Sequence, residues 1–263
     1  MPRRWTREEE NEKRKEIIEL YVNQNKTIAE IGKILRIAES SVYDRLVRLG
    51  IHTTPERKPH YLNRKRGELN FPDFSDKLAE FTGIMLGDGH ISSGQIWISL
   101  NSITDKKYSL YVKKLLKSLF GVNPGICRRK NQQAVDLFLS SVDLIDYLKG
   151  KGLSVTNKVK YQVNIPSWIF NKDSYKKSFL RGFFDTDGSI YLLRFGVQMG
   201  FSNRSYPLLI STRKILIDLR YHPSNISSNK VYLTKKSDLY RYAKEIKFGN
   251  PHYAERAKKF GII

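Results

Sequence analysis

Two short stretches of this chain each run apolar and then stop on an acid followed by glycine. They are Phe81-Thr82-Gly83-Ile84-Met85-Leu86-Gly87-Asp88-Gly89 and Leu180-Arg181-Gly182-Phe183-Phe184-Asp185-Thr186-Asp187-Gly188, with Asp88 and Asp187 separated by 99 positions. Each places a glycine five residues before the Asp-Gly pair and a small residue, Gly87 or Thr186, just before the acid. In a helix, residues four apart share a face, so Gly83 with Gly87 and Gly182 with Thr186 would give two smooth faces. Helices crossing there would bring their C-terminal ends, and both carboxylates, to one axis. Two acids at the negative ends of helix dipoles repel each other. A divalent cation held by Asp88, Asp187 and the helix-end carbonyls of Gly87 and Thr186 would offset that repulsion. A single Asp-Gly is more often an exposed turn. Its recurrence in the same setting constrains the chain to two copies of one unit.

The charge balance says what such a unit would meet. Lys and Arg number 47 against 26 Asp and Glu, giving a net charge of +21 and a pI near 9.9. That points to a polyanion, nucleic acid above all, bound through phosphate neutralisation. A hydrophobic share of 40% and an aromatic share of 12% exclude a disordered basic tail. With one cysteine, Cys127, there is no internal disulfide and no cysteine-based zinc site. His52, His60, His90, His222 and His252 show no ligand spacing. No stretch approaches a membrane span, and the charged start resembles no targeting signal, so a cytoplasmic, nucleoid-associated protein is expected.

In chain order, residues 6–24 read as a charged helix with Ile17, Ile18, Tyr21 and Val22 as its stripe. Thr27 and Glu30 form a capping box for a helix over 28–35, and a turn at 36–38 leads to a helix over 39–49 that closes at Gly50. Three helices with a tight turn between the last two resemble the helix-turn-helix family, which implies DNA binding by the third helix. Val42, Leu46 and Leu49 would pack inward. Ser40, Ser41, Tyr43, Asp44, Arg45 and Arg48 would face out, with Ser41, Tyr43, Arg45 and Arg48 the DNA-contacting candidates. A small solvated bundle is the alternative. The resulting layout is a helix-turn-helix domain over 1–54, a basic linker over 55–74, and repeats over 75–170 and 171–263.

Within the repeats, Ile96, Ile98 and Leu100 alternate with Gln95, Trp97, Ser99 and Asn101, a strand with one dry face. A helix over 105–120, a hairpin over 126–140 and a helix from Val142 follow. After Asp187, Phe195, Val197, Met199 and Phe201 alternate with Arg194, Gln198 and Ser202. A helix over 207–219 and a strand through Val231 and Leu233 come next. Asp143-Leu144-x-x-Tyr147 recurs as Asp238-Leu239-x-x-Tyr242. Each unit therefore reads helix, two strands, helix, two strands, helix, an α+β class.

With these residues in view, 75–260 resembles the two-repeat LAGLIDADG homing endonucleases. The second motif matches the name pattern at Leu180, Gly182, Asp185, Asp187 and Gly188, whereas the first has Leu86 where the earlier acid would stand. The resemblance implies a pseudo-two-fold fold of two αββαββα units forming a DNA-binding saddle. It implies Asp88 and Asp187 as catalytic metal ligands, Mg²⁺ as cofactor, and cleavage of both strands across the minor groove. Lys158 resembles the family's active-site lysine, and no residue of the second repeat matches it. The polar strand faces would read bases: Gln95, Ser99, Asn101, Arg128 and Lys130 in one unit, Arg194, Gln198, Lys230, Tyr232 and Thr234 in the other. A monomeric, Mg²⁺-dependent, site-specific endonuclease of double-stranded DNA with no membrane partner is the reading, in the service of intron homing. The alternatives on the same fold are a non-cleaving transcriptional regulator or an intron RNA maturase. An embedded intein is disfavoured, because the chain starts at Met1 with the DNA-reading module.

Overall fold

A computed structural model of the chain describes residues 6–24, 26–51, 69–92, 94–129, 132–153 and 158–263. Lys130 and most of the basic linker lie outside the described residues. The chain divides into two compact units, residues 1–62 and 63–263.

In the first unit, α1 (Arg7–Ile18), α2 (Ile28–Leu35) and α3 (Glu39–Arg48) surround a small core of Ile17, Tyr21, Ile31, Val42 and Leu46. Thr6 with Glu9 and Thr27 with Glu30 form two capping boxes, each satisfying two backbone donors at a helix start. One such cap contributes about 1 kcal/mol. After α1 the chain widens into a π-type turn, Glu19–Asn23, which carries Tyr21 inward and leaves Val22 exposed. Arg36 takes a left-handed φ of 54° to end α2, and the Ile37 amide donates to the Gly32 carbonyl at 2.9 Å. Leu49, expected in the core, is only half-buried at the rim.

The second unit is built on α4 (Asp76–Gly87) and α7 (Asp173–Asp187). Their contact is backbone on backbone. A Cβ on Gly83 would overlap the Phe179 carbonyl oxygen and lie 2.7 Å from the Phe183 nitrogen, while one on Gly182 would overlap the Glu80 carbonyl oxygen. Each helix runs straight into a strand through the last glycine of its motif. Gly89 and Gly188 are required by crowding, since a Cβ there would sit 2.7 Å from the Met85 sulfur or the Phe184 ring.

From Gly89 the chain forms β1 (Gly89–Ile91), β2 (Gln95–Asn101), α5 (Lys106–Phe120), β3 (Gly125–Arg128), β4 (Ala134–Ser140) and α6 (Val142–Gly150). The sheet order is β1-β2-β4-β3, antiparallel throughout. Ile96, Ile98, Leu100, Val135, Leu137 and Leu139 point to the core, as strand alternation demands. From Gly188 the order repeats as β5 (Gly188–Leu193), β6 (Gly196–Ser202), α8 (Tyr206–Asp218), β7 (Lys230–Leu233) and α9 (Lys236–Glu245), then adds α10 (Pro251–Lys259). One continuous apolar core serves both halves, with Phe179, Phe183, Phe184, Phe201 and Tyr242 fully buried. The protein is an α+β fold with an internally repeated frame.

The second half departs from the expected pattern in three places. Its sheet has three strands, β5-β6-β7. The segment before β7 meets it through an isolated bridge, Ser227 with Lys230, and through Ser224, whose amide donates to the Tyr232 carbonyl at 2.9 Å; it does not run on as a strand, since Pro223 has no amide to donate and Ser228 and Asn229 have φ of 48° and 59°. The β5–β6 hairpin also outruns the core. Arg194 and Phe195 form its turn, and Phe195 is 94% exposed instead of facing inward. Finally, α10 has no α-helical counterpart among the described residues of the first half, so the repeat alone does not predict it. Asn250 caps it by accepting from the His252 amide at 3.1 Å, with Pro251 at its first position.

The crossing generates a direct prediction. Gly83→Val and Gly182→Val should each lower the thermal midpoint by circular dichroism by an amount equivalent to at least ~3 kcal/mol. Gly150→Ala, at a site with no atom near the added carbon, should change it by less than ~1 kcal/mol. Equal effects would show that the crossing tolerates side chains.

Candidate functional site

The crossing delivers the ends of α4 and α7 to one place. A Cβ on Gly87 would lie 2.8 Å from the Thr186 Cβ and 3.5 Å from the Asp187 Cγ, so the two motif ends touch. The Thr186 hydroxyl turns back into its own helix, donating to the Phe183 carbonyl at 3.0 Å. Asp187 accepts from the Asn203 side-chain amide at 2.7 Å. The Lys158 ammonium donates to the carbonyls of Met85 at 3.3 Å, of Leu86 at 3.2 Å and of Gly87. A cation therefore already sits at the negative end of α4.

The titration of these groups follows from burial and from each other. Burial pushes the Asp88 carboxyl up to about 7, helped by the charge of Asp187 and opposed by Lys158. Burial likewise lifts Asp187 to about 6, against the pull of the Asn203 hydrogen bond and of Lys158. Lys158 is pulled down by burial, an effect that both carboxylates counter. Near pH 7 Asp88 thus keeps part of its proton while Asp187 is mostly ionised, and a divalent cation would favour the ionised form of both. Beside them opens a cleft of about 470 Å³, lined by Gly87, Lys158, Asp187, Asn203, Arg204 and Lys230 among others.

The donors suit a hard divalent ion in kind, being carboxylate and carbonyl oxygens. They are few: among the described residues no group of three or more His, Cys, Asp or Glu converges on a point. Such a site matches an ion that keeps waters and takes further oxygens from a phosphate, as Mg²⁺ does. Use of the Gly87 carbonyl requires Lys158 to leave it.

Asp185 belongs elsewhere. It is fully buried, accepts from the Gly249 amide at 2.7 Å, and is pushed far above the ordinary carboxylate range by desolvation. Asn250 bonds Asp105 at 2.9 Å from the same corner. Asp185 thus fastens the start of α10 to the core. Its counterpart Leu86 is buried without needing a partner.

The outer sheet faces carry a mixed set of the anticipated residues. In the second repeat Gln198 and Tyr232 lie on the face opposite the core, and Lys230 shares it through its pairing with Ser202. Gly200 leaves room for the Tyr232 ring, which would lie 3.2 Å from an added Cβ. Thr234 is exposed just past β7, and Arg194 sits at the hairpin tip over the Phe195 ring. In the first repeat Ser99 faces out but is bound to Asp136 at 2.6 Å, and Gln95 bonds Ser140 at 2.9 Å. Asn101 is spent on a turn, accepting from the amides of Ile103 and Thr104. Arg128 pairs with Val135 and so has the core-side parity, overhanging the sheet edge. The next residue, Arg129, reaches the outer face. The sequence expectation names Arg128 and Lys130, and only the register of β3 on β4 reveals that Arg129 has the outward parity.

In the helical unit, Tyr43 and Arg48 are exposed and Ser41 is half-buried. Arg45 does not face out. It donates to Glu10 at 2.8 Å and to the Ser41 carbonyl at 2.9 Å, bracing α3 against α1, and this lowers the Glu10 carboxyl.

Comparisons with known proteins meet this geometry in the second half. Residues 174–247 match the family described as a LAGLIDADG-like domain. Over 122 residues it is 29% identical to the replication factor C small subunit of Methanocaldococcus jannaschii, covering 46% of this chain and 6% of that protein's length. The homing endonuclease I-DmoI, solved with DNA and calcium, is similar in fold at 14% identity and a TM-score of 0.49, covering 70% of this chain and 97% of that one. The N-terminal LAGLIDADG domain of DUF199/WhiA is similar at 18% identity and a TM-score of 0.45, covering 67% and 85%. No helix among the described residues is long and apolar enough to cross a membrane.

The acid pair predicts a pH signature. Asp88 holds its proton more tightly folded than unfolded, so its contribution to stability is present at low pH and is lost as pH rises from its ordinary 3.8 through about 7. Asp88→Asn should therefore melt higher than the wild type by roughly 5 °C at about pH 8, with the gap closing towards about pH 4. Millimolar Mg²⁺ should narrow the gap at high pH by stabilising only the wild type. A pH-independent difference would contradict the placement of Asp88.

Proposed function

We propose that this protein is a divalent-metal-dependent endonuclease that cuts both strands of duplex DNA at a specific site. The observation that carries the reading is the meeting of Asp88 and Asp187 at the ends of two crossing helices, both raised by burial, with the Lys158 ammonium on the carbonyls that end α4. Neither carboxylate forms a salt bridge among the described residues, and only Asp187 has a hydrogen-bond partner, the Asn203 amide. A bound divalent ion would supply a Lewis acid to the phosphodiester and an activated water. Asp88 and Asp187 would hold it, with the helix-end carbonyls of Gly87 and Thr186 as further oxygens. Lys158 leaves the α4 carbonyls and turns its ammonium to the phosphate.

The net charge of +21 supports a nucleic-acid partner, and the outer faces of both sheets supply base-reading side chains. The helical unit acts as a helix-turn-helix that lengthens the site, with Tyr43 and Arg48 on its reading helix and Arg45 as the brace behind it. The chain works as a monomer, since it carries both acids itself. Service in intron homing is the biological setting that fits such an enzyme.

One observation favours a second reading, a DNA-binding regulator that does not cut. Lys158 already neutralises the end of α4, which such a protein would need and a metal enzyme must undo. Cleavage of plasmids carrying a selected site separates the two. Asp88→Asn and Asp187→Asn should each reduce double-strand cleavage in Mg²⁺ by ~10²-fold or more while leaving the dissociation constant within a few-fold. Cleavage by either variant at the wild-type rate would remove the metal-ligand assignment, and absence of any wild-type cleavage would leave the regulator. Arg48→Ala should weaken binding and leave the single-turnover cleavage rate unchanged; unaltered affinity would make α3 a bystander.

A further inference from the structure

The outer face of the first sheet holds one charged group that is both fixed and open. Arg129 follows β3 and is anchored by its amide to the Ala134 carbonyl at 3.3 Å. Its Nε donates to Asp136 Oδ2 at 2.7 Å, and its Nη2 donates to Asp136 Oδ1 at 3.0 Å and to Ser99 Oγ at 3.2 Å. The Ser99 hydroxyl donates to Asp136 Oδ1 at 2.6 Å, completing a closed triangle across β2, β4 and the end of β3. Exposure is divided unequally. The Asp136 side chain is 5% exposed, while the Arg129 side chain lying over it is 49% exposed. The carboxylate therefore grips one edge of the guanidinium from below. Nη1 takes no part in that grip and has no hydrogen-bond partner among the described residues.

A guanidinium so held is a poor phosphate ligand. Asp136 neutralises its charge and would itself repel a phosphate, and the Arg129 hydrogen bond keeps that carboxyl below its ordinary range despite burial. What remains is direction: a planar donor edge aimed outward on a sheet face. The neutral DNA feature with two adjacent acceptors is the O6 and N7 edge of guanine in the major groove. Adenine presents a donor beside its acceptor, so the same edge is mismatched there. Fixing the side chain beforehand also reduces the rotamer entropy lost on binding.

We propose that Arg129, buttressed by Asp136 and Ser99, is a specificity-determining residue that reads one guanine through its outward Nη edge. The proposal rests on the reading of this sheet as a DNA-binding face. It differs from a merely structural ion pair, which would leave target choice untouched, and from a phosphate clamp, which would act on all sequences alike.

The test is selection of bound sites from a randomised duplex library with the full chain, followed by affinity measurements on the selected site at several salt concentrations. Wild type should select guanine at a position that Arg129→Ala no longer constrains, with other positions unchanged. Substituting that guanine by 7-deazaguanine, which lacks the N7 acceptor, should weaken wild type roughly 5- to 150-fold and the variant hardly at all. The slope of affinity against salt should be the same for both, since the charge is already neutralised. Asp136→Asn, which frees the charge, should raise affinity for all duplexes and lessen the guanine preference. Arg129→Lys keeps a positive charge without the planar fork that Asp136 and Ser99 hold, so it should weaken the preference without abolishing binding, and it guards against a folding defect in the alanine variant. An Arg129→Ala protein that folds and still selects the same guanine would overturn the proposal. So would a uniform loss of affinity with a salt slope shallower by about one. If the wild-type chain selected no duplex at all, the DNA-binding reading beneath the proposal would fail first, and that outcome is visible without any variant.

Discussion

Backbone contact between α4 and α7 is the constraint from which the rest of the second unit follows. Helices ordinarily pack 8–10 Å apart because side chains intervene. Here Gly83 and Gly182 remove the side chains at the crossing, and the opposing carbonyls and amides occupy the space a Cβ would need. Because each motif ends its helix one turn past that point, the crossing also sets where Asp88 and Asp187 lie. Packing and chemistry share the same few residues. The glycine that admits the neighbour and the acid that follows it form a single device, made twice.

That device concentrates unfavourable electrostatics. Two carboxylates are desolvated at the negative ends of two helices, and Lys158 offsets part of the cost by capping the α4 carbonyls. The aromatic packing around Phe184, which meets Phe201 and Tyr253 at 5.1 Å, supplies the stability that tolerates it. Asp185 shows the contrast within one motif. Two residues from Asp187, it is enclosed and bonded to the Gly249 amide, so it stabilises the arrival of α10 instead of facing the cleft.

Much of this architecture was legible in the residues. The paired motifs, the capping box at Thr27 and the alternation of Ile96, Ile98 and Leu100 are local patterns whose physics does not depend on distant partners. What escaped was set by tertiary register or by where the core ends. Arg128 and Arg129 are adjacent and identical in type, and only the pairing of β3 with β4 decides which reaches the outer face. Phe195 continues an apolar alternation, yet the hairpin carries it past the last core residue. Arg45 looks like a reading residue until Glu10, 35 positions earlier, is brought beside it. The hydrogen bond from Asn203 to Asp187 likewise depends on the register of β5 and β6, with Gly188 opposite Phe201.

The account turns on the claim that Asp88 and Asp187 form one cation site in which Lys158 gives way when substrate arrives. A crystal structure of the full chain with a bound duplex and Mn²⁺, located by its anomalous scattering, tests this most directly. The account predicts manganese ligated by both carboxylates, with the Lys158 ammonium withdrawn from the Gly87 carbonyl. A duplex bound with no manganese between the two acids and Lys158 still on α4 would contradict it.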